Sequence, residues 1–125
     1  MLYAVLCYAD EAAVTAWTKD EEAEIMGALQ KVQEKVKAEG RLGPVARLMP
    51  TTTATTLRKR AGEPLVIDGP FAETKEQFLG FYMVDCADLD EALDFARQLQ
   101  AVNPGSTAYE IRPVGLYRPA TVEQS

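Results

Sequence analysis

The sequence predicts an α+β domain whose core runs strand, helix, strand, strand, helix, strand, with a β-hairpin inserted between the second and third core strands. Three observations predict it. Two stretches, residues 18–39 and 88–103, repeat apolar residues at helical spacing. The stretches at 1–8, 79–86 and 107–114 alternate at strand spacing. Residues 54–68 hold two extended runs either side of Ala61-Gly62-Glu63, which reads as a hairpin and its turn.

Met1 to Tyr8 places Leu2, Ala4, Leu6 and Tyr8 on one face and Tyr3, Val5 and Cys7 on the other. Both faces are apolar, as in a central strand covered on two sides. Asp10 to Trp17 reads as a connector. Thr18 with Glu21 three residues later forms a capping box, hydroxyl and carboxylate each accepting from a free backbone N–H. Ile25, Leu29, Val32 and Val36 then give one apolar stripe. Asp20, Glu21, Glu22 and Glu24 precede Lys31, Lys35 and Lys37, the order that suits the helix dipole. Gly40 ends the helix, because glycine enters the left-handed conformation at little cost.

Pro44 to Pro50 reads as extended, and so do Ala54 to Arg60 and Pro64 to Asp68. Leu79 to Cys86 puts Leu79, Phe81 and Met83 against Gly80, Tyr82 and Val84, again apolar on both faces. Asp88 caps the second helix with Glu91 at its third position, and Leu89, Ala92, Leu93, Ala96 and Leu99 supply its stripe. Pro104 and Gly105 stop it, and Thr107 to Val114 is the last strand. The domain therefore spans residues 1–114, with 115–125 as an aperiodic tail.

This order is that of a ferredoxin-like βαββαβ fold, in which two helices cover one face of an antiparallel sheet. The first and third core strands are central, yet apolar on both faces. Something else must cover the second face. A second copy of the chain does so by packing sheet against sheet, giving a homodimer. The alternative is that the hairpin and the tail from Leu116 fold over it within one chain.

Composition limits the partners. The net charge of -6 opposes nucleic acid and anionic membranes. No apolar run approaches the roughly 20 residues of a membrane span, and the amino terminus lacks the basic start of a signal peptide. Cys7 and Cys86 sit in apolar strands and read as buried, reduced thiols, which predicts a cytoplasmic protein. Histidine is absent, which removes Ser/His and Cys/His nucleophile systems and every histidine metal site. Scattered carboxylates give no metal-ligand spacing, and no cofactor motif is present.

Chemistry concentrates in the loop from Asp68 to Gln77. Gly69 tolerates positive φ and Pro70 fixes the next φ, so Asp68-Gly69-Pro70 is a tightly specified turn. Such a loop can aim Asp68, Glu73 and Lys75 into one space, with Asp68 as a base and the other two as orienting charges. Structure alone also accounts for it: Phe71 plugging the core, Asp68 bonded within the turn, and Lys75 paired at the surface. Arg47, Arg58 and Arg112 are available to hold an anion.

Asp68-Gly69-Pro70-Phe71, followed by Glu73-Thr74-Lys75-Glu76 and Gly80-Phe81-Tyr82, resembles the signature of the YCII-related family, specifically its DGPF-domain branch. The strand ending at Tyr8 and the closing Glu110-Ile111-Arg112-Pro113 extend the resemblance over most of residues 1–114. It implies a ferredoxin-like subunit forming a dimeric α/β barrel. A paired His and Asp has been proposed as catalytic elsewhere in the wider family, and Asp68 is the one member of such a pair with a counterpart here. The resemblance also raises a regulatory setting, since members of the branch are often encoded near alternative sigma factors.

Two functions follow from these residues. One is a small-molecule binding or acid/base enzyme domain acting on a small organic acid. The other is a non-catalytic regulatory or protein-interaction domain, linked to sigma-factor-dependent transcription.

Overall fold

A computed structural model describes residues 1–122. In chain order its elements are β1 (Leu2–Ala9), α1 (Glu11–Thr15), α2 (Lys19–Ala38), β2 (Leu42–Arg47), a 3-10 turn (Thr51–Thr53), β3 (Thr55–Arg60), β4 (Glu63–Asp68), β5 (Gln77–Asp85), α3 (Leu89–Val102) and β6 (Thr107–Pro113). Four strands form one antiparallel sheet in the order β2-β5-β1-β6, and β3 with β4 forms a separate hairpin. The fold is thus α+β and ferredoxin-like, with β1 and β5 central as their apolar faces predict.

Side chains alternate across the sheet. Tyr3 and Val5 of β1 and Val84 of β5 pack under α2 and α3, against Ile25, Leu29 and Val36 of α2 and Ala92, Phe95, Ala96 and Leu99 of α3. Their alternates Leu2, Ala4, Leu6, Tyr8, Phe81 and Met83 lie on the opposite face and are only half-buried. The helix caps form as the sequence requires. Thr18 accepts from the Glu21 N–H while the Glu21 carboxylate accepts from the Thr18 N–H, and Asp88 accepts from the Glu91 N–H. These bonds satisfy donors that helix geometry leaves open.

Three local readings change. The Asp10–Trp17 connector contains α1, whose N-terminal N–H of Ala12 is capped by the Asp10 carboxylate at 3.0 Å. In α3 the buried stripe is turned toward Phe95, which is 2% exposed, whereas Leu89 is 50% exposed and Leu93 half-buried. Phe71 does not plug the core; it is 73% exposed. Val122 is exposed and residues 115–122 have no regular structure, while positions 123–125 of the tail lie outside the described residues.

One close approach shapes the sheet. At Gly80, a Cβ would overlap the Ala46 carbonyl oxygen and sit 3.0 Å from Arg47 Cα, so only glycine lets β2 lie against β5 here. Beside it, the β1–β5 register slips between Cys7 and Tyr8: Cys7 faces Gly80, and Tyr8 faces Phe78. Leu79 is the extra residue of a bulge. The missing side chain and the bulge lie beneath the cavity described next. No helix among the described residues is long and apolar enough to cross a membrane.

Candidate functional site

The sheet is incompletely roofed beside α2. The gap is a cavity of about 160 Å³ between α2 and the bulged part of β1 and β5, closed at one side by Val14 and Trp17 around α1. Met26, Leu29 and Gln33 of α2 line it from above. Their spacing of three and four residues puts them on one helix face. Cys7, Gly80, Tyr82 and Tyr109 form the floor, and Val45 and Arg47 of the edge strand β2 form the rim.

The floor is polar but uncharged at neutral pH. Burial pushes the Cys7 thiol up to about 12. Burial, reinforced by the neighbouring Cys7 and Tyr109, also pushes Tyr82 up to about 12. Burial raises Tyr109 as well, opposed by a hydrogen bond that Asn103 donates to its hydroxyl at 3.5 Å. A protonated thiol is a weak nucleophile, so Cys7 serves as wall rather than as a reactive group. Cys86 is buried elsewhere, and both cysteines are free thiols.

Among the described residues, Arg47 is the one charged side chain lining this cavity. It also lines an adjoining cavity of about 330 Å³ with Glu11, Leu48, Met49, Pro50 and Phe78. Its Nη1 stands 3.8 Å from the Glu22 carboxylate, both side chains being half in solvent. The same nitrogen lies 3.8 Å from Met26 Sδ. Glu11 is committed to structure instead, its carboxylate accepting from the Thr51 N–H at 2.9 Å while its own N–H donates to Gln77.

The other predicted site residues are scattered. Asp68 ends β4 opposite Thr55, exposed, and lines none of these cavities. Glu73 and Lys75 are exposed in the following loop, and no ion pair joins them to each other or to Asp68 among the described residues. Gly69 has φ +112, which favours glycine, and its N–H donates to the Ala54 carbonyl at 2.7 Å. The Thr56 hydroxyl donates to the Gly69 carbonyl at 2.8 Å. The loop geometry is thus set by backbone bonds to the hairpin. Arg58 contributes to the same lock, donating to the Phe71 carbonyl at 3.5 Å. Arg112 is exposed on β6 on the far face of the sheet. There the Tyr8 hydroxyl donates to Glu110 at 3.2 Å. Among the described residues no group of three or more Cys, Asp or Glu gathers in a way that could hold a metal ion.

Of the sequence-predicted residues, the structure therefore brings only Arg47 to a cavity. Cys7, Tyr82, Tyr109 and Gln33 are the additions. The one sequence signal for them is Gly80, an isolated glycine in an apolar strand, which marks a close backbone approach.

A four-stranded antiparallel sheet under two helices, carrying a separate hairpin and a partly open helix-side cavity, defines a ferredoxin-like α+β domain. The YCII-related domain model matches residues 1–115. An uncharacterised protein of Rhizobium meliloti (strain 1021) is 62% identical over 119 residues, covering 95% of this chain and 96% of its own. The chain belongs to the YCII-related family.

Proposed function

We propose that this domain binds a small organic molecule in the cavity between α2 and the sheet. One observation carries the reading: a partly open, mainly apolar space with a few convergent neutral donors and, among the described residues, a single cation at its rim. Small-molecule sites have that composition, the apolar walls supplying affinity and the few polar groups fixing orientation. Arg47 suits an organic acid. Acid/base chemistry by Asp68 is the less supported part, because that carboxylate stands outside the cavity. On the Asp68-Gly69-Pro70-Phe71 run we assign the chain to the DGPF-domain branch, and its two free thiols are in keeping with a cytoplasmic setting.

We also infer a homodimer through the sheet face that α2 and α3 leave open, because Leu2, Leu6, Phe81 and Met83 remain only partly buried on it. A second reading, a regulatory or protein-interaction domain such as one serving sigma-factor-dependent transcription, is favoured by a different feature. The β3–β4 hairpin exposes Leu57 and Val66, directly opposite each other, at 71% and 66%.

A thermal-shift screen of small organic acids decides between these readings. Binding in the cavity predicts that compounds raising the Tm of the wild type lose their effect in Val45→Trp, which obstructs the rim, and keep it in Asp68→Ala. Loss in Asp68→Ala alone would move the site to the loop. No stabilising compound in a broad panel would remove the ligand reading and leave protein interaction.

A further inference from the structure

We propose that the occupant of this cavity is a single-ring carboxylate, its ring held against Met26, Leu29 and Tyr82 and its carboxylate held by Arg47. The inference rests on the binding reading above and specifies the chemistry of that site.

Size sets the ring number. An apolar protein cavity of about 150 Å³ takes up benzene, and the space here is about 160 Å³. One six-membered ring fills it; the second ring of a fused pair would have to stand out through the open side, where it gains no wall contacts. Tyr82 and Tyr109 supply hydroxyls, and Cys7 a thiol, that stay protonated at neutral pH, so the interior offers no countercharge to a cation. The ring enters uncharged.

Charge sets the other end. A guanidinium presents five N–H donors in a planar fork that matches a carboxylate. In Arg47 that fork is barely used. Its separation of 3.8 Å from Glu22 is well beyond the roughly 2.7–2.9 Å of a charge-assisted hydrogen bond. A half-exposed pair of this kind contributes little. A ligand carboxylate at the rim therefore meets an arginine with free donors and displaces only a loose partner. Glu22 becomes the ligand's competitor, which makes its removal informative.

Trp17, the only tryptophan in the chain, lines the cavity and reports on it by fluorescence. The titration compares benzoate, its neutral isostere benzamide, and 2-naphthoate on wild type, Arg47→Gln and Glu22→Gln. Benzoate is expected to bind wild type about tenfold or more tightly than benzamide, the scale of a charge-assisted bond. It should lose that margin in Arg47→Gln and gain severalfold in Glu22→Gln. Benzamide should respond to neither substitution, which also shows that both variants keep the folded cavity. Equal binding of benzoate and benzamide by wild type would overturn the anionic assignment while the cavity reading stands. Binding of 2-naphthoate as tight as that of benzoate would overturn the single-ring limit. If benzoate and benzamide leave both Trp17 emission and the Tm unchanged, while other organic acids raise the Tm in a Val45-dependent way, this proposal fails alone. If nothing raises the Tm, the binding reading fails with it.

Discussion

Cys7 shows how one residue's chemistry follows from where the chain puts it. It alternates with Tyr3 and Val5, so it faces the helices, and its pairing with Gly80 sets it under the cavity. Burial raises its thiol from 9.0 to about 12. A folded value above the unfolded one means that the folded state holds the proton longer. Its contribution to stability is complete below about pH 9 and is lost as pH rises toward about 12, at up to about 1.4 kcal/mol per pH unit. Tyr82 begins to add to this loss about one unit higher, since its rise starts from 10.0. Burial also raises Cys86 from 9.0, so urea unfolding between about pH 8 and pH 11 is expected to show stability falling from about pH 9 in both proteins, but less steeply between about pH 9 and pH 10 in Cys7→Ala than in the wild type. Parallel curves for the two proteins would show that the Cys7 thiol is not shielded. The sequence showed that Cys7 is apolar in its surroundings and silent in chemistry. It could not show that the thiol borders a cavity, because that depends on the Leu79 bulge and on how far α2 stands from the sheet.

Elements whose making is local were legible almost to the residue. Thr18 with Glu21, and Asp88 with Glu91, start their helices through bonds that span three positions, so nothing distant is needed to read them. The central strands were legible from two apolar faces. The azimuth of α3 was not, because apolar residues on both flanks of its stripe compete and only packing against α2 and the sheet chooses between them. The choice favours Phe95, whose ring meets Tyr82 edge-on at 5.6 Å, over Leu89 at the helix start. Phe95→Ala is expected to cost about 3–5 kcal/mol, as a buried ring replaced by a void. Leu89→Ala should stay within about 0.5 kcal/mol. Denaturant midpoints of the two variants check the assignment, and a reversed order would put Leu89 back in the core. The loop from Asp68 to Gln77 misled in a different manner: its residues are rich in charge, but the turn itself is explained by the Gly69 N–H bond to the Ala54 carbonyl and the Thr56 hydroxyl bond to the Gly69 carbonyl.

At the scale of the whole molecule the two faces of the sheet have different solutions. The helix face is a core that opens into the cavity beside α2. The open face is a row of half-buried apolar side chains in which Leu6 pairs with Phe81 and Ala4 with Met83, flanked by Glu110 and Arg112 on β6. An apolar sheet face left in water loses the burial that central strands require, and a second copy with the same face would restore it by two-fold symmetry. The hairpin offers the competing surface through Leu57 and Val66, so the two must be separated by substitution. If the sheet face pairs, light scattering after size exclusion at tens of micromolar will give twice the mass of one chain. Leu6→Lys, which puts a charge in the centre of that face, will then give the mass of one chain while Leu57→Asp stays dimeric. Dissociation by Leu57→Asp with Leu6→Lys unaffected would transfer the interface to the hairpin. A single-chain mass for the wild type would mean that the face stays open, and that its apolar pairs await a different partner.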